Sequence, residues 1–330
     1  MIGNYVLPCG AVLVSLLMQS CINEGIIGCE NYIGSLDIDY HWDLAPDASP
    51  DGMTCFFFRK DNNTTWRFDF PDACGGEVRL PLGDYAFITV NDDAQVIFDN
   101  DDSYDLFSIS TPACVLFAPV ASGAEHNIGL PAGIDETVVK CPGMLWCDHT
   151  PYVGLGFDML SYQIQLSGDA CVKSSKFKLL PVHPECIVRR YHVDVSGVTG
   201  LDGVRRVSAA RSGMSGSLRI SDLSLSPEGA TLPFAVACSG GSGIYGEFLS
   251  FGRAADSDVR NILYLFVWLS DGSCYSYECD VTSQIVEAAD PMDVWIHIQG
   301  IDIPESSGTT GSFDVSVDRW NKVTINFDDR

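Results

Sequence analysis

Basic residues are scarce in this chain. Against 44 Asp plus Glu it carries only 19 Lys plus Arg, so the formal net charge is −25. A surface of that sign repels phosphate backbones and anionic headgroups, which excludes nucleic acid and a basic membrane-docking face. The first Lys or Arg is Arg59. Long apolar runs are also missing beyond the N-terminus: the longest later one, 262–269, is strand-sized, and a membrane-spanning helix needs about 20 residues. Zinc-type cysteine spacing is absent, since neither Cys141 with Cys147 nor Cys274 with Cys279 forms a C-x-x-C pair and no histidine pair follows. No stretch holds a helical period beyond a couple of turns.

What is present begins with residues 11–18, an uncharged apolar run followed by Gln19, Ser20 and Cys21. Its length suits the hydrophobic region of an export signal, and Ser20 suits the residue before cleavage. A cysteine at the next position marks a lipoprotein signal, with residues 1–20 removed and Cys21 carrying the acyl chains, palmitate among them. A buried N-terminal strand or helix ending in Cys is the alternative reading. Residues 1–5 lack the usual positive charge, and Pro8 and Cys9 interrupt a cleaner run. Residues 21–32 then form a tether.

Apolar residues make up 46 % of the chain, enough to bury a sizeable core in two domains of ordinary size. The pattern from 33 to 42 alternates Leu36, Ile38, Tyr40 and Trp42 with polar residues, the period of a half-buried strand. Strands are predicted over 53–58, 65–70, 77–80, 85–90, 162–166 and 176–182, with turn signals every eight to twelve residues or so, as in a β-sandwich. Residues 111–150 are the least regular. His183, Pro184 and Glu185 read as a domain boundary, giving domains at 33–182 and 186–330. Strands at 186–195, 230–237, 245–251, 261–269, 274–281, 294–298 and 313–317 fill the second, and Val323, Ile325 and Phe327 alternate as a last strand. That strand either completes its own domain, the favoured reading, or is lent to a partner. Asp271 and Gly272 predict a type I′ hairpin.

Thirteen cysteines point to mostly buried thiols, and export would leave room for one or two disulfides without fixing a pattern. The acidic run from Asp99 to Asp105 departs from an EF-hand loop, because Tyr104 stands where glycine is required and Ser110 where the bidentate Glu belongs. It reads as a solvated loop, with no metal site. Catalytic patterns are weak. Gly213 to Ser217 lacks the last glycine of a nucleophile elbow, and Gly240 to Gly243 reads as a flexible loop rather than a phosphate cradle. The six histidines, 41, 126, 149, 183, 192 and 297, are scattered. No enzyme activity and no cofactor are expected. Trp66 and Trp320 are the aromatics that could stack on a sugar, although core packing accounts for both.

Several stretches together resemble the fimbrillin-type lipoproteins of Gram-negative anaerobes, near the fimbrial anchor proteins. They are residues 21–29, Asp39 to Trp42 with 47–53, 75–85, Pro142 to Trp146, 212–218, Thr231 to Phe234, 246–252 and 311–317, spread over most of the chain. The resemblance implies an all-β chain of two tandem transthyretin-like β-sandwiches. It also implies attachment to outer-membrane lipid through Cys21, exposure at the cell surface, and a structural or adhesive role. Partners would be fimbrial subunits or a host or bacterial surface ligand. A glycan-binding surface lipoprotein is the alternative. No basic cleavage site lies near the first strand, so a role as a polymerising shaft subunit is not implied.

Overall fold

The computed structural model describes residues 33–116, 136–156, 162–165, 171–174, 177–239, 241–306 and 320–325. Cys21, the tether, His126 and the strand expected at 313–317 lie outside them. The first half runs β1 (Ile33–Tyr40), β2 (Met53–Arg59), β3 (Thr65–Phe70), β4 (Gly75–Pro81), β5 (Gly83–Asn91), β6 (Ile97–Asp99), β7 (Ser108–Ser110), β8 (Thr137–Val138) and β9 (Trp146–Leu155). It continues with β10 (Tyr162–Gln165), β11 (Cys171–Ser174), β12 (Phe177–Val182) and β13 (Glu185–Cys186). The second half holds β14 (Arg189–Ser196), β15 (Val204–Ser215), β16 (Ser217–Arg219), β17 (Ser224–Leu225), β18 (Gly229–Phe234), β19 (Val236–Ser239) and β20 (Gly243–Ser250). It ends with β21 (Ile262–Leu269), β22 (Cys274–Asp280), the short helix α1 (Thr282–Val286), β23 (Asp293–Gln299) and β24 (Trp320–Ile325).

One connectivity occurs twice. In the first half β1 lies between β4, antiparallel, and β12, parallel, while a second sheet runs β3-β2-β5-β9 and ends on β13. In the second half β14 lies between β20, antiparallel, and β23, parallel, facing a sheet ordered β18-β15-β21-β22. The short strands β8 and β24 extend that last sheet at its two edges. Thus the C-terminal strand pairs in parallel with β22 of its own chain.

Each sheet pair encloses a core. Leu36, Ile38, Met53, Cys55, Phe57, Leu80, Tyr85 and Phe87 fill the first. Tyr191, Val193, Leu232, Phe248, Leu263, Leu265, Ile296 and Ile298 help to fill the second. A third core joins the halves: Phe56, Phe58, Ile88 and Phe107 meet Leu218, Ile220 and Phe251. Strand β2 therefore buries both faces, which is why its sequence is continuously apolar rather than alternating. Each of its three phenylalanines contributes about 1.5–3 kcal/mol by burial. Two ladders span residues 183–185: β7 pairs with β16, and β8 with β18.

Two strands depart from the sequence reading. Strand β9 contains Pro151, and its register against β5 shifts between Tyr85 and Phe87, a bulge that accommodates the missing N–H. Strand β15, twelve residues long, is buried on both faces towards its end and carries Arg211 there, so no period-two pattern marks it. The 271–272 hairpin forms, but not as type I′. Gly272 takes φ +88, whereas the described non-glycine residues with positive φ are Asn63, Asn100 and Leu223. With Gly272 N–H bonded to Leu269 O and Leu269 N–H to Ser273 O, the loop is a type I turn closed by a left-handed glycine. The expectation that most cysteines are thiols agrees with Cys55, Cys74, Cys114, Cys141, Cys147, Cys186, Cys238 and Cys279, none of which is in a disulfide. Burial raises the thiol pKa of Cys141 and Cys279 to about 12, which keeps both protonated and unreactive.

Candidate functional site

The acidic 99–105 segment is a built wall rather than a loose loop. Asn100 adopts φ +55, a left-handed conformation that asparagine tolerates, and its side-chain amide donates to Leu106 O at 3.3 Å. Ser103 N–H bonds back to Asn100 O, and Leu106 N–H to Ser103 O. This tight course turns Tyr104 inward. Its ring sits edge-on to Phe58 at 6.0 Å, and its hydroxyl meets His149 Nδ1 at 3.0 Å. Burial, reinforced by the neighbouring Asp105 carboxylate, raises the Tyr104 pKa, so the phenol remains a neutral hydrogen-bonding group.

Two adjoining cavities share Tyr104, Asp105 and Pro151. One, about 420 Å³, is bounded by Phe58, Lys60, Asn63 and Asp102. The other, about 460 Å³, reaches His149, Arg219, Ser221 and Asp222. Both lie in the size range of ligand pockets. The groove runs along the seam of the two halves. Its walls come from β2, the 99–105 loop and β9 on one side and from the end of β16 on the other. Ser221 Oγ ties the two sides together by donating to Asp105 O at 3.2 Å. Arg219 grips Asp222 through two parallel bonds of 2.9 and 2.8 Å, which lower the Asp222 pKa and raise that of Arg219.

A second array covers the outer face of the β19-β20-β14-β23 sheet. His192 bonds Tyr245 Oη at 3.0 Å through Nδ1 and Asp293 Oδ1 at 2.8 Å through Nε2. Trp295, 48 % exposed, stacks on the His192 ring at 4.2 Å. Arg190 pairs with Glu247 at 2.7 Å. His297 lies 3.5 Å from Asp194, and Gln284 of α1 clamps the His297 backbone from the free edge of β23 by accepting from its N–H and donating to its O. These polar ends are largely consumed by one another, and the array is a cross-strand stack that holds the sheet face.

The residues singled out from the sequence are dispersed. Trp66 packs against the first core, edge-on to Tyr85 at 5.6 Å. The backbone of Trp320 pairs with Cys274. His41 follows β1 and stacks on His183 at 5.0 Å, each ring beside a carboxylate, Asp39 and Asp43. The Gly213–Ser217 stretch is no nucleophile elbow: Ser215 is buried and its hydroxyl donates to Ser217 O at 2.6 Å. Sequence reading missed the groove and Trp295. The usable signal for the groove was a single tyrosine set among four aspartates, Asp99, Asp101, Asp102 and Asp105, and preceded by Ser103.

The fold is shared with a crystal structure of a provisionally named adhesin from Bacteroides ovatus. That match has TM-score 0.62 and 19 % identity, covering 83 % of this chain and 94 % of that one. The chain belongs to the family described as a domain of unknown function, DUF5119, whose profile matches residues 20–235. It is similar to a B. ovatus protein provisionally named fimbrium anchoring subunit Fim4B, 24 % identical over 205 residues, 62 % of this chain and 53 % of the relative. The match thus spans about half the length of that relative. The fimbrial anchor protein Mfa2 from Porphyromonas gingivalis aligns at TM-score 0.48 and 13 % identity, over 80 % of this chain and 90 % of that one. The resemblance to fimbrial anchor and adhesin proteins read from the sequence is met by the names these relatives carry. Among the described residues, no helix is long and apolar enough to cross a membrane.

Proposed function

We propose that the mature chain is a non-enzymatic, lipid-anchored protein of the outer membrane, displayed at the cell surface, where it serves as a fimbrial anchor or adhesive subunit. The observation that carries this reading is the position of Cys21, directly after an export-type apolar run and a short tether ahead of β1. The name of the Fim4B relative supports the same role. The repeated connectivity supports two tandem transthyretin-like sandwiches at 33–182 and 186–330, with the seam ladders holding them together. The pairing of β24 with β22 supports a C-terminal strand that completes its own domain. A single acyl chain binds a bilayer only marginally, at roughly 10⁴ M⁻¹, so stable retention requires the several chains of a bacterial lipoprotein.

Replacing Cys21 tests the anchor. In fractionated cells, Cys21→Ala moves the protein from the membrane pellet to the soluble fraction, and the wild-type N-terminal peptide carries the mass of its acyl chains. A Cys21→Ala protein that still sediments with the membrane contradicts the lipid anchor.

A further inference from the structure

We infer that the seam groove around Tyr104 binds a neutral oligosaccharide. The inference rests on the adhesive reading and gives it a ligand class and a place. The chemistry of the walls selects the ligand. Arg219 is neutralised by Asp222, and Arg59 by Asp61 at 2.7 Å. The remaining charged ends of the groove are Lys60, which lies over the Tyr152 ring at 5.7 Å, together with Asp102 and Asp105. Donors and acceptors are therefore both present along it, with no dominant positive charge.

A polyanion is disfavoured twice, by these two carboxylates and by the chain's net charge of −25. A lipid tail would leave the polar walls unpaired, which costs affinity. A neutral sugar meets both requirements, since each hydroxyl donates one hydrogen bond and accepts others, and its C–H face can lie against the half-buried Tyr104 ring. Two joined cavities of about 420 and 460 Å³ give room for more than one ring of such a chain. Its walls stand on strands and on a loop pinned at Asn100 and Ser221, so the groove is largely preformed. The Trp295 array is the competing surface, but His192 has both ring nitrogens engaged and Arg190 is paired with Glu247.

The test uses the full mature chain in detergent micelles. Its probes are neutral gluco-, manno-, galacto- and N-acetylglucosamine hexasaccharides, polygalacturonate and heparin fragments as acidic glycans, and hexalysine as a basic peptide. Calorimetric titration is expected to show saturable binding of a neutral hexasaccharide. Asp105→Asn, which preserves shape, and Tyr104→Ala each weaken it about tenfold, the effect of one lost hydrogen bond to a charged group or one lost contact surface. Trp295→Ala changes it less than about twofold, the variation expected when no contact is lost. The inference is overturned by absence of neutral-glycan binding, by preference for an acidic glycan or hexalysine, or by loss in Trp295→Ala with retention in Asp105→Asn. Failure here with Cys21-dependent membrane retention intact removes the groove assignment alone; loss of that retention pattern removes the anchor reading instead.

Discussion

Arg211→Met stabilises the protein by about 2 kcal/mol, within the range seen when a buried charge is replaced by an apolar side chain of similar volume. Arg211 is fully buried on the inner face of β15, and none of its three guanidinium nitrogens has a hydrogen-bond partner among the described residues. The Tyr191 ring lies 5.2 Å from the guanidinium carbon and gives it a cation–π contact. That ring is itself stacked on Phe248 at 5.0 Å, and Phe248 on Phe234 at 4.4 Å. A desolvated cation–π contact contributes about 2 kcal/mol, less than the several kcal/mol of removing an unpaired ion from water.

Burial accordingly lowers the Arg211 pKa to about 10, a displacement equivalent to about 3 kcal/mol against the charged form. The sign follows from linkage. A base whose folded pKa lies below its unfolded value destabilises the fold while charged, and the penalty is relieved only as pH rises through the folded pKa towards the unfolded one. The gap between Arg211→Met and wild type should therefore stay flat between about pH 6 and 9 and narrow above about pH 10. Thermal melts of both proteins across that range measure it. A variant that melts lower than wild type would show that the guanidinium contributes net stability.

Gly213→Ala acts in the opposite direction and lowers stability by roughly 3 kcal/mol or more, because it adds strain and a clash at one position. Gly213 holds φ +73 at the point where the β15–β18 register shifts between Arg211 and Met214. A Cβ there would stand 2.3 Å from Arg260 O and from the Asn261 amide nitrogen. Those atoms are fixed. Asn261 Nδ2 donates to Gly213 O at 2.7 Å and Ser212 O at 3.3 Å, while Gly213 N–H bonds the Glu136 carboxylate, which also accepts from Thr231 Oγ1 at 2.8 Å. Asparagine tolerates a left-handed backbone but not the missing space, so Gly213→Asn should recover little of the loss. Chemical denaturation of the three proteins checks the order; near-wild-type stability for Gly213→Ala would show that the bulge can relax.

Much of the strand framework was legible because most strands bury one face or are uniformly apolar. The 65–70 prediction matches β3 at both ends, and β1, β2, β5 and β21 differ from their predictions by a residue or two at a boundary. Strands β9 and β15 were hidden for physical reasons: a proline tolerated by a bulge in one, an arginine and a left-handed glycine inside the other. The seam was unreadable because β7, β8, β16 and β17 are two or three residues long, too short to show a period. The groove was unreadable for a related reason. Lys60, Tyr104, His149 and Arg219 sit on separate elements; the β2-β5-β9 sheet brings Lys60 and His149 to one side, and the ladder of β7 with β16 adds Arg219. The same acidic loop that suggested a failed calcium site in sequence is positioned by Asn100 and Tyr104 as a wall.

The central claim is that the lipid on Cys21 holds a fimbrial component at the cell surface. Its most direct test is the partition of the fimbrial shaft protein between cells and medium in a strain whose sole copy of this chain is Cys21→Ala. The account predicts that shaft protein is still exported but is shed into the medium. Shaft protein retained on those cells at the wild-type level would contradict it.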